Sequence, residues 1–414
     1  MRVISFHHDG DWSTPLTLTV SITPHALVLL LLAASVALNL CLLCRRPAAA
    51  SPRRPPSKAR FHGSSNQRIT TASSCSITGS PKISSLMGAV EQLRGLKDDR
   101  RFLEAGVLLD ALRAELSKRS GSAVSLWDAW DAPGEAQAAL SRLLSDGGEL
   151  EARIHQFRRA QADLSSEEGE CAEGSDWEVI RDEAGLSVLL RRQSATHSRT
   201  AGKVVATLDG VRAADCMLMW REASLYPNWF PFVSGGKMLG EVDPGEVYLQ
   251  LFIETSFINV DMPLRGVACD DMARAGDDGQ RSGCMLLSCR PPPDWPHPLP
   301  TGVLPPTNTS ESGAFKLLGS WSSATHIDVL IQPVGEGCVR MVFQMADAIP
   351  AATPSWVLKQ IVENALGSVF GQMEKVARRM AVNDPACAHT AHVNSKEMVT
   401  TKRWYEKAMQ DPLR

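Results

Sequence analysis

Short apolar segments of strand length, separated by turn-forming and polar residues, make up much of the chain between residues 177 and 346. Segments of this kind are typical of β-strands. The pattern predicts a first hairpin that turns at Glu183-Ala184-Gly185. Further strands are predicted at residues 200–208, 247–259, 263–271, 283–289, 315–333 (two strands with a bend) and 338–346. Strands that follow one another in this way predict one antiparallel sheet.

Two helices are predicted to accompany this sheet. Residues 213–224 form a short amphipathic segment that carries Trp220. Residues 355–380 place apolar side chains at helical spacing, after Thr353-Pro354 in the preferred order for a helix start. One long helix over one curved sheet leaves a space that can hold a ligand. The predicted fold class is therefore α+β, a curved antiparallel sheet closed by a long C-terminal helix.

A helical section is predicted ahead of the sheet, at residues 85–164. The first stretch keeps a helical period from Ser85 to residues 120–122, and the second, at 133–164, is interrupted near Gly147 and Gly148. Together they predict an antiparallel hairpin or a small bundle. Their apolar faces serve either as core or as a surface for a protein partner, and the sequence leaves both open.

An uncharged apolar run of about 20 residues, 25–44, is long enough to span a bilayer. Arginines and lysines follow it closely, so the positive-inside rule places the C-terminal part of a single-pass protein in the cytosol. Because the stretch after the run also has the acid-free composition of a transit peptide, a plastid location through a two-part leader is the alternative. Retention or cleavage of the run stays open.

These patterns predict six segments. They are a tail at 1–24, a transmembrane segment at 25–44, a basic disordered linker at 45–84, the helical section at 85–164, the sheet domain at 175–385 and a C-terminal tail at 386–414.

Charge and motifs exclude several classes of function. A formal net charge of -3 gives no bias toward nucleic acid. Cys41 and Cys44 form the single CxxC pair among the ten cysteines, and they lie at the end of the apolar run without a second pair to complete a zinc site. We find no motif of an activated nucleophile, a metallopeptidase or a phosphate loop. We therefore expect no cofactor, no metal and no enzymatic activity.

Short motifs between residues 176 and 380 carry a resemblance to a known family. Trp177 lies in the opening strand, Trp229-Phe230-Pro231 follows the first inner helix, and Pro263-Leu264-Arg265 precedes a strand. Ile349-Pro350 and Pro354-Ser355-Trp356 stand before the final helix. In order and spacing these residues resemble START domains, the helix-grip lipid-transfer family. Two features depart from the family's pattern. Gly266 stands where the Pro-x-x-Arg-Asp sequence has its Asp, and the Pro-rich loop 290–312 is longer than the pattern.

The resemblance implies a lipid ligand, such as a sterol or phospholipid, held in an internal cavity, with a membrane bilayer as partner. The candidate cavity residues are Arg265, Glu254, Trp220, Phe252, Met341, Phe343, Leu366 and Phe370. Arg265 either orients a polar group of the ligand or forms an internal ion pair, with Glu254 or Asp270 as its partner. The alternatives are a non-transferring regulatory protein that senses a ligand and, third, a cyclase-like enzyme of the same superfamily.

Two further groups of residues have a structural and a functional interpretation. His326 and Asp328 share a strand face, a pattern that is more often structural than catalytic. Trp295 and Leu304 of the Pro-rich loop could enter a membrane surface. An irregular surface loop is the alternative.

Overall fold

The computed structural model describes residues 85–119, 134–145, 149–165, 177–183, 185–192, 200–231, 233–254, 259–272, 283–291, 295–306, 326–346, 359, 362–363 and 367–409. The predictions for residues 1–84, the transmembrane run among them, lie outside this part of the chain. No helix among the described residues is long and apolar enough to cross a membrane.

Nine strands of the described part of the chain form one sheet in which all neighbours are antiparallel. They are β1 (Trp177–Glu183), β2 (Leu186–Arg191), β3 (Ala201–Asp209), β4 (Val233–Asp243), β5 (Glu246–Glu254), β6 (Asn259–Asp270), β7 (Met285–Arg290), β8 (His326–Gly335) and β9 (Cys338–Ala346). Their order across the sheet is β1-β2-β3-β9-β8-β7-β6-β5-β4. After β3 the chain crosses to the far edge and returns strand by strand, until β9 pairs with β3.

One face of the sheet, which we call the inner face, is covered by helices that follow β3 and β9. These are α5 (Ala213–Arg221), a 3₁₀ helix (Ala223–Asn228) and α6 (Gly367–Ala381). All residues of α5 are buried, since it packs against α6 and β8. The buried stripe of α6 includes Val369, Phe370, Met373, Val376 and Met380, and this spacing is what a helix lying on a sheet requires.

The opposite face, which we call the outer face, is covered by the N-terminal section, of which the structure describes four helices. They are α1 (Leu86–Asp98), α2 (Phe102–Arg119), α3 (Gly134–Ser145) and α4 (Glu149–Ser165). α4 lies on β7, β8 and β9, and α2 contacts β6. Their leucines share one apolar core with Leu189, Val205, Val267, Leu286, Leu330 and Val342 of the sheet. The helical section and the sheet therefore belong to one compact unit.

The predicted strands are found within the described residues, and the structure differs from the sequence prediction in three places: one strand, one helical stretch and the C-terminal segment. β4 was missed because it is an edge strand with a mixed sequence, VSGGKMLGEVD, and only two of its residues are buried. The first helical stretch is two helices, which separate at Arg100, a residue with a positive φ of 60°. The second stretch is broken as predicted, between α3 and α4. Strand residues predicted at 315–325 lie outside the described part.

The third difference concerns the segment predicted as a C-terminal tail. After α6 the chain forms α7 (Ala388–Val393), a 3₁₀ turn (Lys396–Met398) and α8 (Val399–Met409). α7 packs against α6, and α8 packs against α5. Met398 and Tyr405 belong to the same apolar core as the inner face of the sheet. This segment is therefore part of the domain.

Candidate functional site: the inner face of the sheet

Alternation along the strands decides which side chains face α5 and α6. On β9, Met341 and Phe343 point into the inner core, whereas Val342 points into the outer core. On β6, Met262, Leu264 and Ala268 are inner, and Val267 and Cys269 are outer. The candidate site is built from the inner set together with α5, α6 and α8.

Aromatic side chains fill the centre of this inner core. Trp220 stacks on Phe343 with ring centroids 5.2 Å apart, and Phe343 meets Phe370 of α6 edge-on at 6.1 Å. Trp229 contacts Trp220 edge-on at 5.0 Å. The rings of Tyr226 and Phe230 stack at 5.9 Å in the segment that follows α5. Large rings of this kind give an apolar surface with a few polar edges.

A small cavity lies beside Trp220, between α5, α8 and the sheet. Its volume is about 10 Å³, which is close to the space of one water molecule. It is lined by Met217, Trp220, Arg221, Gly245, Val247, Leu249, Gly266, Leu287, Cys289 and Tyr405. Gly266, the departure from the START pattern, therefore leaves the cavity wall without the carboxylate that an Asp would bring.

Burial keeps several ionisable groups of this face in their neutral forms. The pKa of the Cys289 thiol is raised to about 12 by burial, with a smaller contribution from Asp328. Burial also raises the pKa of Cys216 and of Tyr226. A neutral thiol is a poor nucleophile. These groups therefore do not supply an activated nucleophile at neutral pH.

Arg221 is the charged residue of the cavity wall. It is 4% exposed, and its guanidinium contacts Glu222 of the same segment and Glu241 of β4. Burial by itself lowers the pKa of this guanidinium, but the carboxylates outweigh burial and the pKa is raised. Glu222 also contacts His392 of α7 at 2.8 Å. The cation is thus held by two acids, one of which is shared with the C-terminal segment.

Four of the eight predicted cavity residues come together on the inner face. They are Trp220, Met341, Phe343 and Phe370, and all are buried. Their role in binding a ligand stays a prediction. Arg221 and Tyr405 were missed. No sequence motif marks either residue, and only the packing of α8 on α5 brings them together.

Arg265 does not face the cavity, which corrects the prediction. It follows Leu264 on β6, so alternation turns it to the outer face. Its Nε donates to Glu246 Oε1 at 2.7 Å, and its Nη2 donates to Glu149 of α4 at 3.0 Å. Its partners are therefore Glu246 and Glu149, which agrees with the internal ion-pair interpretation but not with the partners expected for it. Glu254 pairs with Asn259 at the other end of the β5–β6 ladder, whereas Arg265 pairs with Tyr248.

The structure does not place the three remaining predicted cavity residues on the inner face. Phe252 lies between Leu251 and Ile253, both of which contact the inner core, so alternation places it on the outer face. The side chain of Glu254 and the whole of Leu366 lie outside the described part of the chain.

The structure also bears on the membrane hypothesis for the Pro-rich loop and on the interpretation of the strand that carries Asp328. Trp295 is buried edge-on against Tyr248 at 5.0 Å, and its Nε1 donates to the Arg290 carbonyl, so it is not available to a membrane surface. Leu304 is exposed. Asp328 is buried and accepts a hydrogen bond from Ser288 at 2.5 Å. It also pairs with Arg290, which supports the structural interpretation of this strand.

No family model matches the chain. A search of curated proteins finds no match. Solved structures similar to this chain include a STAR-related lipid transfer protein from Xanthomonas axonopodis, with 19% identity, 49% of this chain and 99% of that chain covered, and a TM-score of 0.34. Human STARD10 has 12% identity, the match covers 60% of this chain and 87% of that chain, and the TM-score is 0.40. An aromatase/cyclase from Streptomyces has 12% identity, the match covers 45% of this chain and 98% of that chain, and the TM-score is 0.28.

At these values the similarities say nothing about ligand or activity. The START-like helix-grip fold rests on the strand order, the antiparallel register and the helices that cover the inner face.

Proposed function

We propose that this START-like helix-grip chain is a membrane-anchored lipid-binding or lipid-transfer protein. It holds a sterol, phospholipid or other apolar ligand between the inner face of the sheet and the helices on it, and it performs no chemistry on that ligand. The observation that carries the proposal is the aromatic and aliphatic lining shared by β9, α5 and α6.

Desolvation supplies the affinity in this proposal. Each CH₂ group moved from water into an apolar site contributes about 0.8 kcal/mol, so a sterol or acyl skeleton needs few polar contacts. Met341, Met217 and Met373 lie in the same core as the rings. Methionine side chains adapt to different shapes, which suits a site that opens around a ligand.

The position of the helical section favours this function over a partner-binding regulator. The apolar faces of α2 and α4 are used against the outer face of the sheet. A dimerising or partner-binding role for the same faces would require this core to open. The neutral thiols and phenol of the inner face support a binding role without catalysis.

Anchoring rests on the sequence alone. The uncharged run at residues 25–44, with arginines after it, supports a single span with the domain in the cytosol. An anchor of this kind raises the effective concentration of the domain near its donor bilayer. Extraction of cell membranes with alkaline carbonate tests it. Recovery of the full chain in the soluble fraction would count against anchoring and would leave lipid binding to be decided separately.

Lipid binding is tested with the full chain in detergent, exchanged into mixed-lipid vesicles, re-isolated and analysed by mass spectrometry. We expect about one equivalent of one lipid class. A matched variant, Phe343→Asp, places a carboxylate among the rings and should abolish recovery, and circular dichroism reports whether it folds. Phe252→Asp, on the outer face, is the control. A folded wild-type chain that recovers no lipid would contradict the proposal and favour the regulatory alternative.

A further inference from the structure

We infer that the cavity beside Trp220 binds the oxygen of a neutral apolar ligand, a hydroxyl or carbonyl group, through the N–H groups of Trp220 and Arg221. This inference rests on the proposed lipid binding and names the chemical class of the ligand. It excludes a ligand with an anionic head group at this position.

Two buried donors at the cavity lack an acceptor. Trp220 Nε1 and Arg221 Nε are both buried and have no hydrogen-bond partner among the residues that the structure describes, and both residues line the cavity. A buried donor without an acceptor is costly, so such groups are rare in folded proteins and call for an explanation. A ligand oxygen would accept from them. The cavity, at about 10 Å³, has room for one oxygen atom.

Charge decides between a neutral oxygen and an anion. The single positive charge of Arg221 already faces the carboxylates of Glu222 and Glu241. A carboxylate or phosphate in the cavity would be a third negative group around one buried cation, and like charges at short range in a poorly solvated site repel strongly. A hydroxyl or carbonyl oxygen accepts the hydrogen bonds and adds no charge.

The rest of the ligand needs more space than this cavity offers. Tyr405 of α8 forms one wall, and its hydroxyl donates to the Pro244 carbonyl at 3.0 Å. The other walls are apolar residues of α5 and the sheet and two glycines, Gly245 and Gly266. The hydrocarbon part of the ligand therefore takes the place that Tyr405 now fills, and α8 moves when the ligand enters.

The test compares head groups on two hydrocarbon skeletons, with the full chain in detergent and isothermal titration as the readout. The sterol set is cholestane, cholestanol and cholestanol sulfate. The alkyl set is hexadecane, hexadecanol and palmitate. We expect the alcohol of at least one set to bind about tenfold or more tightly than both the hydrocarbon and the anion. The set that binds tells a sterol from an acyl chain.

Variants assign the effect to the two donors. Trp220→Phe removes the indole N–H and Arg221→Lys removes Nε but keeps the charge between Glu222 and Glu241. Each should weaken binding of the alcohol roughly five- to tenfold and leave the hydrocarbon unchanged. Trp229→Phe is the matched control, because its indole N–H is also buried and without a partner, yet it does not line the cavity. Circular dichroism verifies folding.

The outcomes are distinguishable. Tighter binding of the anions, or equal binding of all three head groups, would overturn this inference while lipid binding stands. Equal effects of Trp229→Phe and Trp220→Phe would also overturn it. Binding of none of the six probes would overturn the inference, whereas the proposed function is decided separately by the recovery of lipid from mixed-lipid vesicles. The wild-type series decides the head group even where a variant fails to fold.

Discussion

The two faces of the sheet are both buried, yet the charged cluster of the outer face and the cavity of the inner face differ in how fully their polar groups are paired. On the outer face, the carboxylate of Glu246 lies among three guanidinium groups, those of Arg265, Arg100 and Arg153. Tyr248 adds a hydrogen bond from its hydroxyl at 3.3 Å. On the inner face, the indoles of Trp220 and Trp229 and Nε of Arg221 are buried and have no partner among the described residues. The charged groups around Glu246 are thus paired with one another, whereas the donors beside the cavity lack an acceptor. Buried polar atoms without a partner in the described part of the chain also occur on the outer side, at Gln156 and Gln344.

This difference distinguishes a polar cluster that stabilises the fold from a cavity that, in our proposal, binds a ligand. The Glu246 cluster, which we define as Glu246, Arg100, Arg153 and Arg265, ties the helical section to the sheet. Arg100 lies between α1 and α2, and Arg153 belongs to α4. Surrounding arginines outweigh burial and lower the pKa of Glu246. Burial and the nearby Arg265 lower the pKa of Arg153 to about 10. Nothing in this cluster requires a ligand.

Removal of the helical section is the change with the largest expected effect. A chain of residues 166–414 would expose Leu189, Val205, Val267, Leu286, Leu330 and Val342. Burial of each such side chain contributes roughly 1.5–3 kcal/mol. Their sum is comparable with the roughly 5–15 kcal/mol that holds a whole domain folded. We expect no soluble, cooperatively folding product.

The matched control is a chain of residues 85–414, which keeps the outer core. Both chains are compared by soluble yield, size-exclusion chromatography and urea unfolding. A monomeric 166–414 chain with a sharp unfolding transition would show that the outer face tolerates water and that the helical section is an accessory.

Loss of the Glu246 carboxylate is the next largest change. Glu246→Gln leaves three arginines around a neutral amide, and breaking a buried ion pair from one side costs about 3–5 kcal/mol. The free energy of unfolding in urea should fall by that amount at pH 7. The control is Asp243→Asn, since Asp243 also pairs with Arg100 but its side chain is 41% exposed. We expect the control to lose about 1 kcal/mol or less. Equal losses would mean that the cluster does not depend on its buried carboxylate.

The sequence predicted most of the strands because short apolar segments bounded by turn residues depend only on burial. It did not predict the orientation of Arg265. β6 has apolar residues on both sides, Leu264 and Ala268 inward and Val267 and Cys269 outward, so the apolar pattern alone cannot tell the faces apart. Only the presence of α4 on the outer face explains why an arginine is buried there.

The candidate site was predictable only in its apolar part. Phe343 and Phe370 follow from the strand and helix periods, since a core position needs only a regular spacing. Arg221 and Tyr405 are 184 positions apart, and they meet because α8 packs on α5. A contact of this range leaves no trace in local periodicity, and the short α8 lay in a segment that resembled a tail.

A fall in pH should destabilise the C-terminal helices on the inner face before it destabilises the Glu246 cluster on the outer face. Burial, with a smaller effect of His392, lowers the pKa of His389 in α7 from 6.5 to about 4. The unfolded state therefore binds the proton first, and stability is lost as the pH falls from about 6.5 toward 4. The expected loss between pH 7 and pH 5 is about 2 kcal/mol. The lowered pKa of Glu246 gives stability that is present above the usual carboxyl pKa and is lost as the pH falls below it.

This loss is measured as urea unfolding at several pH values. His389→Gln should flatten the dependence between pH 7 and pH 5. His155→Gln, at an exposed position of α4, is the control and should leave the slope unchanged. Hydrogen exchange at pH 5 should show α7 and α8 opening before β7 and β8. Simultaneous opening of all four would mean that the C-terminal segment and the sheet form one cooperative unit.

Removal of single tyrosine hydroxyls, one on each face, has the smallest expected effect on stability. Tyr405→Phe removes the bond to Pro244 on the cavity side, and Tyr248→Phe removes the bond to Glu246 on the outer side. Each should lower the free energy of unfolding by about 1 kcal/mol, since each loses one hydrogen bond. Their effects on ligand exchange should differ. If α8 moves when a ligand enters, Tyr405→Phe should speed the release of bound hexadecanol or cholestanol several-fold, whereas Tyr248→Phe should not change it. Equal release rates in stopped-flow displacement would place the entrance elsewhere on the inner face, because the wall formed by Tyr405 would then stay closed during exchange.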